Sequence, residues 1–573
     1  MLLRSDPYFC YLEVALGAAG LTYFVFNFFK PTFMNGLIFD YQLTIPTILR
    51  RAETFFGHKE IVSRLPDRNL HRTNYGECAV RARKLALALQ RLGIRPGDRV
   101  GTFCWNHSQH LEIYLGVPSF CAVLHTLNLR LAADDLIYIV NHGGDRAIIV
   151  DEVLLPLFEK FRSQIKKVEF IIVIPNGSGQ IPAGMLDYEK LLAAEDATKF
   201  KYSEFDENLA AAMCYTSGTT GKPKGVLYSH RAITLHSMAS GMTTVLGVGE
   251  SDTVLPVVPM FHVNAWGLPF TCAMVGAKLV FPGPFLDPTS LLELYESEKV
   301  TFTAGVPTIW FGILQLLDKE PRKYNLQSLR TLLVGGSAAP KAMIQGFQER
   351  HNLRVVHAWG MTETAPLGSV ANLTSELLDA PAAAQYDFRA KQGIPAPFVE
   401  IRARSDQGFI PWDGISMGEL EVRGPWIASH YYNTNEMEER FTPDGWFCTG
   451  DIVSINSKGC IQIQDRSKDV IKSGGEWISS VALESMLMSH PSVLEAAVIA
   501  IAHPKWGERP LAAVVLKENK TATPQELIDF LRPHFDKTWM PDAVEFVKAI
   551  PRTGVGKFQK TVLREQFKDY KLG

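Results

Sequence analysis

A loop rich in glycine, hydroxyl and lysine side chains occupies residues 214–230, with the sequence CYTSGTTGKPKGVLYSH. It contains three threonines, two serines, three glycines and two lysines, and apolar runs flank it. Glycines expose backbone N–H groups, hydroxyls add hydrogen-bond donors and lysine adds positive charge, which together suit a phosphate chain. A surface turn has a similar composition, so the loop by itself leaves both interpretations open.

The spacing within this loop argues against a Walker-type P-loop. That motif needs four residues between its first Gly and its Gly-Lys pair, and a Ser or Thr follows the lysine. Here two residues separate Gly218 from Gly221, and Pro223 follows Lys222. The flanking runs LAAAMCY and GVLYS read as short buried strands, so we predict that the loop joins two strands.

The strands and helices that must position this loop can be predicted from the sequence after residue 34, where two kinds of pattern alternate. Short apolar runs such as DRAIIVDE, VEFIIVIPN, AKLVFPG and LRTLLVGGS alternate with helical patterns such as RKLALALQRLG, LLELYESE and KAMIQGFQER. This alternation predicts an α/β fold, with a large N-terminal domain of layered, mostly parallel sheets and helices. Beyond residue 465, two helical and two strand patterns predict a small C-terminal α+β domain.

The first 33 residues contain a mostly apolar run between residues 8 and 29. Its most apolar part is shorter than the roughly 18 residues that indicate a spanning helix. Three interpretations stay open: a membrane anchor or surface helix, a buried helix, or an extension upstream of a soluble start at Met34.

Composition restricts the class of protein. A chain of 573 residues is too long for one compact core, so two or three domains are expected. The net charge of −2 and the lack of a long basic run argue against nucleic acid as the partner. The eight cysteines are scattered without a CxxC pair, which favours a reducing compartment over a disulfide framework or a zinc site.

Six further sequence motifs follow the glycine-rich loop along the chain. They are VPMFHVNAWG (258–267), VGGSAAP (334–340), HAWGMTETAP (357–366), GWFCTGD (445–451), DRSKDVIKSGGEWIS (465–479) and PRTGVGK (551–557). Together with the first loop, they resemble the acyl-adenylate-forming superfamily of acyl-CoA synthetases, luciferases and peptide-synthetase adenylation domains over residues 40–570. Within that superfamily, the chain is most similar to bacterial medium- and long-chain fatty-acyl-CoA synthetases and to 3-methylthiopropionyl-CoA ligases.

The resemblance implies a two-step reaction that uses ATP, Mg²⁺ and CoA. A carboxylate attacks ATP to give acyl-AMP and pyrophosphate, and CoA then displaces AMP to give a thioester. It also implies a large adenylate-forming domain over residues 34–464, a hinge at 465–468 and a small mobile domain over 469–573. Related fatty-acid enzymes also suggest a homodimer. We expect a cytoplasmic location, with membrane contact through residues 8–29 as an open alternative.

The resemblance also assigns the nucleotide site. The loop would wrap the β- and γ-phosphates with Thr216, Ser217, Gly218, Thr219, Thr220, Gly221 and Lys222. Thr216 and Glu363 would lie at the magnesium, and Thr362 would contact the α-phosphate. Adenine and ribose would contact Gly335, Gly336, Ser337, His357, Ala358, Trp359, Asp451, Arg466 and Trp477. Trp359 replaces a tyrosine often found at this position, so it can stack on the base but lacks the phenol hydroxyl.

The acyl site and the second half-reaction are assigned by the same resemblance. His262 would cover the carboxylate entrance, Trp266 would gate an acyl tunnel, and its wall would comprise Val263, Gly305, Val306 and Pro307. Lys557 would serve adenylation. Lys472 would serve thioester formation after rotation about Lys468, with Gly474 and Gly475 admitting the pantetheine of CoA. The segment PMFHVNAWG has no acidic residue for an α-amino group, which argues against an amino-acid substrate.

Three functions compete at this stage. The first is an acyl-CoA ligase, and the second is an adenylating enzyme with another acceptor, such as a separate carrier protein or oxygen. The third is a membrane-tethered fatty-acid binding or uptake protein, against which the retention of Lys557, Glu363 and Asp451 argues. Fatty acids and a short thioether acid both need an apolar slot, so the exact acid stays open.

Overall fold

The computed structural model describes residues 36–216, 222–434, 440–474, 476–552 and 558–570. The described residues from Gln42 onward form one compact unit, and residues 36–41 are not part of it. The apolar run at residues 8–29 lies outside the described residues, so its three interpretations stay predictions. None of the described helices combines the length and hydropathy that crossing a bilayer requires.

The helices of the described residues are α1 (Ile45–Phe56), α2 (Tyr75–Arg91), α3 (Ser108–Gly116), α4 (Ala133–Gly143), α5 (Leu155–Arg162), α6 (Tyr188–Ala193), α7 (His230–Gly241), α8 (Val263–Trp266), α9 (Leu268–Val275), α10 (Pro288–Ser297), α11 (Pro307–Lys319), α12 (Lys341–His351), α13 (Ser375–Leu378), α14 (Ala382–Arg389), α15 (Ser480–Ser489), α16 (Pro524–Leu531) and α17 (Lys560–Gln566).

The strands are β1 (Glu60–Arg64), β2 (Leu70–Asn74), β3 (Arg99–Phe103), β4 (Val123–Thr126), β5 (Asp145–Asp151), β6 (Phe170–Ile174), β7 (Leu186–Asp187), β8 (Ala210–Tyr215), β9 (Gly225–Ser229), β10 (Thr253–Pro256), β11 (Lys278–Phe281), β12 (Phe302–Gly305), β13 (Thr331–Val334), β14 (Val355–Gly360), β15 (Leu367–Val370), β16 (Ile394–Pro395), β17 (Glu400–Ser405), β18 (Gly408–Phe409), β19 (Gly418–Arg423), β20 (Phe447–Ile455), β21 (Ile461–Arg466), β22 (Ile471–Ser473), β23 (Glu476–Ile478), β24 (Val493–His503), β25 (Gly507–Leu516) and β26 (Ala543–Phe546).

Two large sheets carry most of the parallel pairing. The first has the order β7-β6-β5-β3-β4-β8-β9, and only β8 and β9 pair antiparallel. The second has the order β16-β15-β14-β13-β12-β10-β11-β1-β2. Its six strands from β14 to β1 are parallel, and antiparallel strands close both edges. The predicted α/β class with mostly parallel sheets is confirmed.

A third sheet differs from that pattern. Its five strands, in the order β18-β17-β19-β20-β21, are antiparallel throughout. The sequence rhythm did not indicate this sheet, because antiparallel strands joined by short turns lack the intervening helices on which that prediction depended. The sheet matters for the site, since β20 and β21 carry Asp451 and Arg466 as direct cross-strand partners.

The C-terminal region has its own sheet and cores. β22, β23, β24 and β25 form an antiparallel sheet, to which β26 adds a parallel strand. One core takes Leu483 and Leu487 from α15 and Leu527 and Leu531 from α16, and a second core includes Leu563 from α17. Helix α16 begins with a capping box between Thr523 and Glu526, which supplies partners for the free N–H groups of its first turn. The predicted C-terminal α+β architecture is confirmed.

Candidate active site

One cavity of about 940 Å³ collects most of the predicted site residues. Those that line it are Thr216, Lys222, His262, Val263, Trp266, Gly305, Val306, Pro307, Gly335, Gly336, Ser337, His357, Ala358, Trp359, Thr362, Glu363, Asp451, Arg466 and Lys468. Seven others lie outside the described residues: Ser217, Gly218, Thr219, Thr220, Gly221, Gly475 and Lys557. Residues separated by more than 200 positions therefore share one concave surface.

Parallel strand order explains why these residues meet. Gly305 ends β12 opposite Val334 at the end of β13, and Val334 lies opposite His357 in β14. The carboxyl ends of parallel strands therefore lie side by side, and the residues that follow them form one edge. In open α/β sheets this edge is the usual place of ligand binding.

The glycine- and hydroxyl-rich loop leaves the β8–β9 hairpin from a fixed base. Tyr215 pairs with Gly225, the Thr216 N–H donates to the Lys224 carbonyl at 2.9 Å, and the Thr216 hydroxyl accepts the Lys224 N–H at 3.0 Å. The predicted position of the loop between two strands is confirmed. Thr216 lines the cavity, and its hydroxyl already accepts one hydrogen bond at the base of the loop.

Among the described residues, eight lysine and arginine side chains line the same cavity: Arg130, Lys222, Lys224, Arg440, Arg466, Lys468, Arg552 and Lys560. The ammonium groups of Lys222 and Lys224 lie over the rings of Tyr138 and Tyr431 at 5.3 and 5.1 Å from the ring centroids. The motif analysis missed Arg130 and Arg440, because they belong to no recognised segment. Their charge suits a polyphosphate.

Glu363 is held in place by an aromatic hydroxyl. Its side chain is buried, and the Tyr431 hydroxyl donates to Glu363 Oε1 at 2.6 Å. Burial raises the pKa of Tyr431, so the phenol keeps the proton that it donates. A second tyrosine, Tyr228, donates to the Thr362 carbonyl at 2.6 Å. Sequence reasoning found Glu363 and Thr362 but neither tyrosine, because nothing in the local pattern distinguishes these tyrosines from core aromatics.

Asp451 is the centre of a three-residue contact. The Trp359 indole N–H donates to Asp451 Oδ2 at 2.8 Å, and Arg466 Nε lies 2.7 Å from Oδ1. Asp451 is only 1% exposed. Trp359 therefore has a polar role that the sequence did not suggest, in addition to its aromatic face. A carboxylate has about four lone-pair positions, so capacity remains for ribose hydroxyls.

Gly335 and Gly336, here called the Gly335–Gly336 strip, expose their backbone to the cavity at a place where a side chain would not fit. A Cβ added to Gly335 would lie 3.0 Å from the Ala358 carbonyl oxygen and 3.0 Å from the Trp266 ring. Gly336 has φ of 82°, a backbone conformation that L side chains rarely adopt. His357 is buried, its Nδ1 lies 3.2 Å from the Ala390 carbonyl, and burial lowers its pKa to about 4. The His357 side chain is therefore neutral and structural, so only the backbone of this residue is available to contact a nucleobase.

The segment that carries Trp266 has an unusual backbone. Val263, Asn264, Ala265 and Trp266 have φ of 44°, 52°, 48° and 58°, so α8 is one left-handed turn. A left-handed conformation costs roughly 1–2 kcal/mol per L-residue, and it persists only where surrounding contacts determine it. The Tyr114 hydroxyl and the Cys214 thiol lie 3.3 and 3.4 Å from Asn264 Oδ1. The turn aims the Trp266 ring at Gly335.

The apolar wall of the cavity is also tightly fitted. A Cβ on Gly305 would lie 2.7 Å from the Trp310 ring, and the Trp310 indole N–H donates to the Gly305 carbonyl at 3.1 Å. Val306 and Pro307 follow at the start of α11 and line the cavity beside His262. Gly305 therefore serves packing as well as the cavity wall.

Replacing Trp266 by alanine is expected to shift substrate preference toward longer acids. The ring fills part of the apolar cavity beside Gly335, and each CH₂ that gains burial contributes about 0.8 kcal/mol. Thioester formation with a series of chain lengths measures the effect, with Trp412→Ala, a half-exposed tryptophan outside the cavity, as the matched control. An unchanged chain-length profile with retained activity would exclude Trp266 as a gate.

Three predicted residues are described but do not line the cavity: Lys472, Gly474 and Trp477. Lys472 is exposed on β22, and its ammonium lies 5.8 Å from the centroid of the Trp477 ring on β23. A Cβ on Gly474 would lie 2.8 Å from the Trp506 ring. In this arrangement Trp477 lies beside Lys472, and the site predicted for thioester formation is separate from the cavity that collects the predicted nucleotide-binding residues.

Two family models match consecutive parts of the chain. The AMP-binding enzyme model covers residues 49–432, and the AMP-binding enzyme C-terminal domain model covers residues 482–557. The fold described above agrees with that class of protein. The chain belongs to the AMP-binding enzyme family.

Two named relatives and one solved structure show which enzymes this chain is similar to. A long-chain-fatty-acid–CoA ligase of Thermus thermophilus is 47% identical over 95% of this chain and 98% of that protein. A 3-methylmercaptopropionyl-CoA ligase of Ruegeria lacuscaerulensis is 44% identical over 94% of this chain and 100% of that protein. The crystal structure of ATP-bound MatB from Rhodopseudomonas palustris superposes with a TM-score of 0.79 at 25% identity, covering 92% of this chain and 100% of that one. The predicted family resemblance is confirmed.

Proposed function

We propose that this protein is an ATP-dependent acid–CoA ligase that activates an apolar carboxylic acid as acyl-AMP and transfers the acyl group to CoA. The observation that supports this proposal most strongly is that one cavity contains both a polar and an apolar part. The polar part is the Asp451–Trp359–Arg466 contact with Glu363, and the apolar part is the wall around Trp266. The prediction of an acid–CoA ligase is confirmed by relatives of that kind at 42–47% identity.

In the first step, a substrate carboxylate oxygen bonds to the α-phosphorus of ATP, and the bond from that phosphorus to the pyrophosphate oxygen breaks. Asp451 would accept the ribose hydroxyls, and the Gly335–Gly336 strip would lie against adenine. Lys222, Lys224, Arg130 and Arg440 would offset the negative charge of the polyphosphate. Such preorganised charge is most effective where charge builds in the transition state.

Mg²⁺ is proposed as the cation of this step. Glu363 fits it, since its buried carboxylate offers a hard oxygen at the cavity, and the Thr216 hydroxyl offers another. The Tyr431 hydroxyl fixes the orientation of the Glu363 carboxylate through its 2.6 Å hydrogen bond. Magnesium would neutralise phosphate charge when bound.

In the second step, the CoA sulfur bonds to the acyl carbonyl carbon, AMP leaves, and the thiol gives up its proton. We propose that the small domain rotates about Lys468 so that the exposed Lys472 and its glycine pair face the acyl-AMP. Lys472 lies outside the cavity here, which supports a two-pose reaction. Hinges of a few residues are the usual means of such closure.

The acid itself is proposed as a fatty acid or a similar apolar acid. Trp266, Val306 and Pro307 supply an apolar wall, and no acidic residue lies in the segment 259–267 to bind an α-amino group. The relatives include ligases of long-chain fatty acids, of medium-chain fatty acids and of 3-methylmercaptopropionate. 3-Methylthiopropionate is the second candidate, because its thioether also needs an apolar slot.

Assembly and compartment are further proposals. We propose a homodimer in the cytoplasm, with membrane contact through residues 8–29 as the alternative. The seven cysteines of the described residues are free, which supports a reducing compartment.

A panel of carboxylic acids tests the function. Acids from propionate and methylthiopropionate to palmitate are incubated with ATP, Mg²⁺ and CoA, and CoA-thioester and pyrophosphate are measured. We expect thioester with at least one apolar acid and none with amino acids. Acyl-AMP that accumulates but never transfers to CoA would indicate a carrier protein as the acceptor. Absence of ATP–pyrophosphate exchange with every acid would favour a binding protein over an enzyme.

A further inference from the structure

A buried polar cluster lies where α15 and α17 meet. Lys560 Nζ, at the first position of α17, lies 2.6 Å from Glu484 Oε1 and 2.5 Å from the Ser480 hydroxyl. Glu484 Oε1 also accepts the Val498 N–H at 2.7 Å. Lys560 is 8% exposed and Glu484 is 6% exposed. A lysine and a glutamate are rarely this buried unless they are paired, so the pair is a specific feature of the fold.

The cluster extends across the predicted hinge. Asp465 belongs to β21 of the third sheet, and its Oδ2 accepts the N–H of Ser480 at 2.6 Å. Asp465 is 1% exposed. One carboxylate thus precedes the pivot at Lys468, whereas Ser480, Glu484 and Lys560 follow it.

The ionisation of the two carboxylates in the cluster depends on their burial and on the nearby Lys560 charge. Burial raises the pKa of Glu484 to about 7 and also raises the pKa of Asp465, and the Lys560 charge opposes both shifts. Asp465, Glu484 and Asp469 are the carboxylates that face Lys560. Removing one partner from such a buried group leaves an uncompensated charge, which is strongly unfavourable.

We propose that Asp465, Glu484 and Lys560 form a hinge latch: three positioning residues that hold the C-terminal region in the pose for adenylation. This inference rests on the proposed function. In the observed pose, Arg552 and Phe558 line the nucleotide cavity. Their neighbours in sequence, residues 553–557, include the lysine predicted to serve adenylation.

Rotation about Lys468 acts on this latch directly. Asp465 stays with β21, while Ser480 and Lys560 move with α15 and α17, so the 2.6 Å hydrogen bond and the Lys560–Asp465 attraction are lost together. An ion pair between Arg564 and Asp469 ties α17 to the segment just after the pivot, so α17 moves with it. The latch therefore favours the first half-reaction, and its opening accompanies the second.

The decisive variant removes both charges of the pair. Glu484→Gln/Lys560→Met removes both charges of that pair, which is far less disruptive than removing one. Asp465 then loses its attraction to Lys560 but keeps the hydrogen bond from the Ser480 N–H. We expect ATP–pyrophosphate exchange to fall about tenfold, within the range of conformational couplings. Thioester formation from pre-made acyl-AMP and CoA is expected to stay equal or rise. Lys560→Arg keeps the charge and is expected to retain the wild-type ratio of the two rates.

The matched control is Lys568→Met, which removes a lysine paired with Glu565 on the exposed side of the same region. It is expected to change neither half-reaction. An unchanged ratio of the two rates in the double variant overturns the latch, even if both rates fall. A wild-type protein with neither exchange nor thioester formation overturns the proposed function as well, so the two failures are distinguishable.

A measurement on the wild-type protein keeps the latch testable if the double variant does not fold. The Ser480 amide donates to Asp465, so its hydrogen exchange reports the latch. We expect slow exchange with ATP and Mg²⁺ and faster exchange with AMP and CoA. Equal exchange rates under both conditions contradict the proposal.

Discussion

Replacing Lys557 by alanine is expected to slow adenylation by on the order of 100-fold or more, while thioester formation from pre-made acyl-AMP continues. A lysine ammonium aimed at the carboxylate and the α-phosphate stabilises charge that develops only in the first transition state, and loss of one preorganised donor costs this much. ATP–pyrophosphate exchange and single-turnover thioester formation measure the two steps separately. Lys557 lies outside the described residues, so this expectation depends on the sequence motif.

Lys472 provides the inverse test. Lys472 is exposed and does not line the cavity proposed to bind ATP, so Lys472→Ala is expected to leave pyrophosphate exchange intact and to slow thioester formation. Lys520→Ala, an exposed lysine after β25, is the control and is expected to affect neither step. If Lys557→Ala slows both half-reactions equally from either starting material, the two-pose model is wrong for this protein.

Replacing Asp451 by alanine is expected to weaken ATP binding by about 100-fold and to destabilise the fold. A hydrogen bond to a charged acceptor contributes about 1.5–3 kcal/mol, and two ribose hydroxyls would lose theirs. The buried Trp359 indole N–H also loses its acceptor, which costs about 1–3 kcal/mol. The KM for ATP in pyrophosphate exchange and the midpoint of urea unfolding report the two effects.

Two variants separate these effects. Trp359→Phe retains an aromatic face but removes the indole N–H, so it is expected to raise the KM for ATP less than Asp451→Ala does. Asp444→Ala removes an exposed carboxylate paired with Arg402 and is the matched control. An unchanged KM for ATP in Asp451→Ala would contradict the ribose assignment, whatever happens to stability.

The local parts of the site were predictable from sequence because they depend on neighbouring residues. The glycines, hydroxyls and lysine of residues 216–222 predicted a phosphate-binding loop between two strands, and the β8–β9 hairpin confirms the position of the loop between the strands. The apolar run before Gly335 predicted a strand of a mostly parallel sheet, and that strand, β13, lies parallel to β12 and β14. Periodicity and turn chemistry act over a few residues, so a single sequence carries them.

The partnerships between distant residues were decided by the tertiary structure alone. Trp359 and Asp451 are 92 residues apart, Glu363 and Tyr431 are 68 apart, and Lys560 and Ser480 are 80 apart. No local pattern encodes such pairs, because each depends on where two elements come to lie after folding. The left-handed turn at residues 263–266 is of the same kind, since local preference disfavours it and the surrounding contacts hold it. The sequence alone determined which chemical groups this protein has, and packing decided which of them meet, because desolvation makes each buried polar group depend on a partner that the fold must supply.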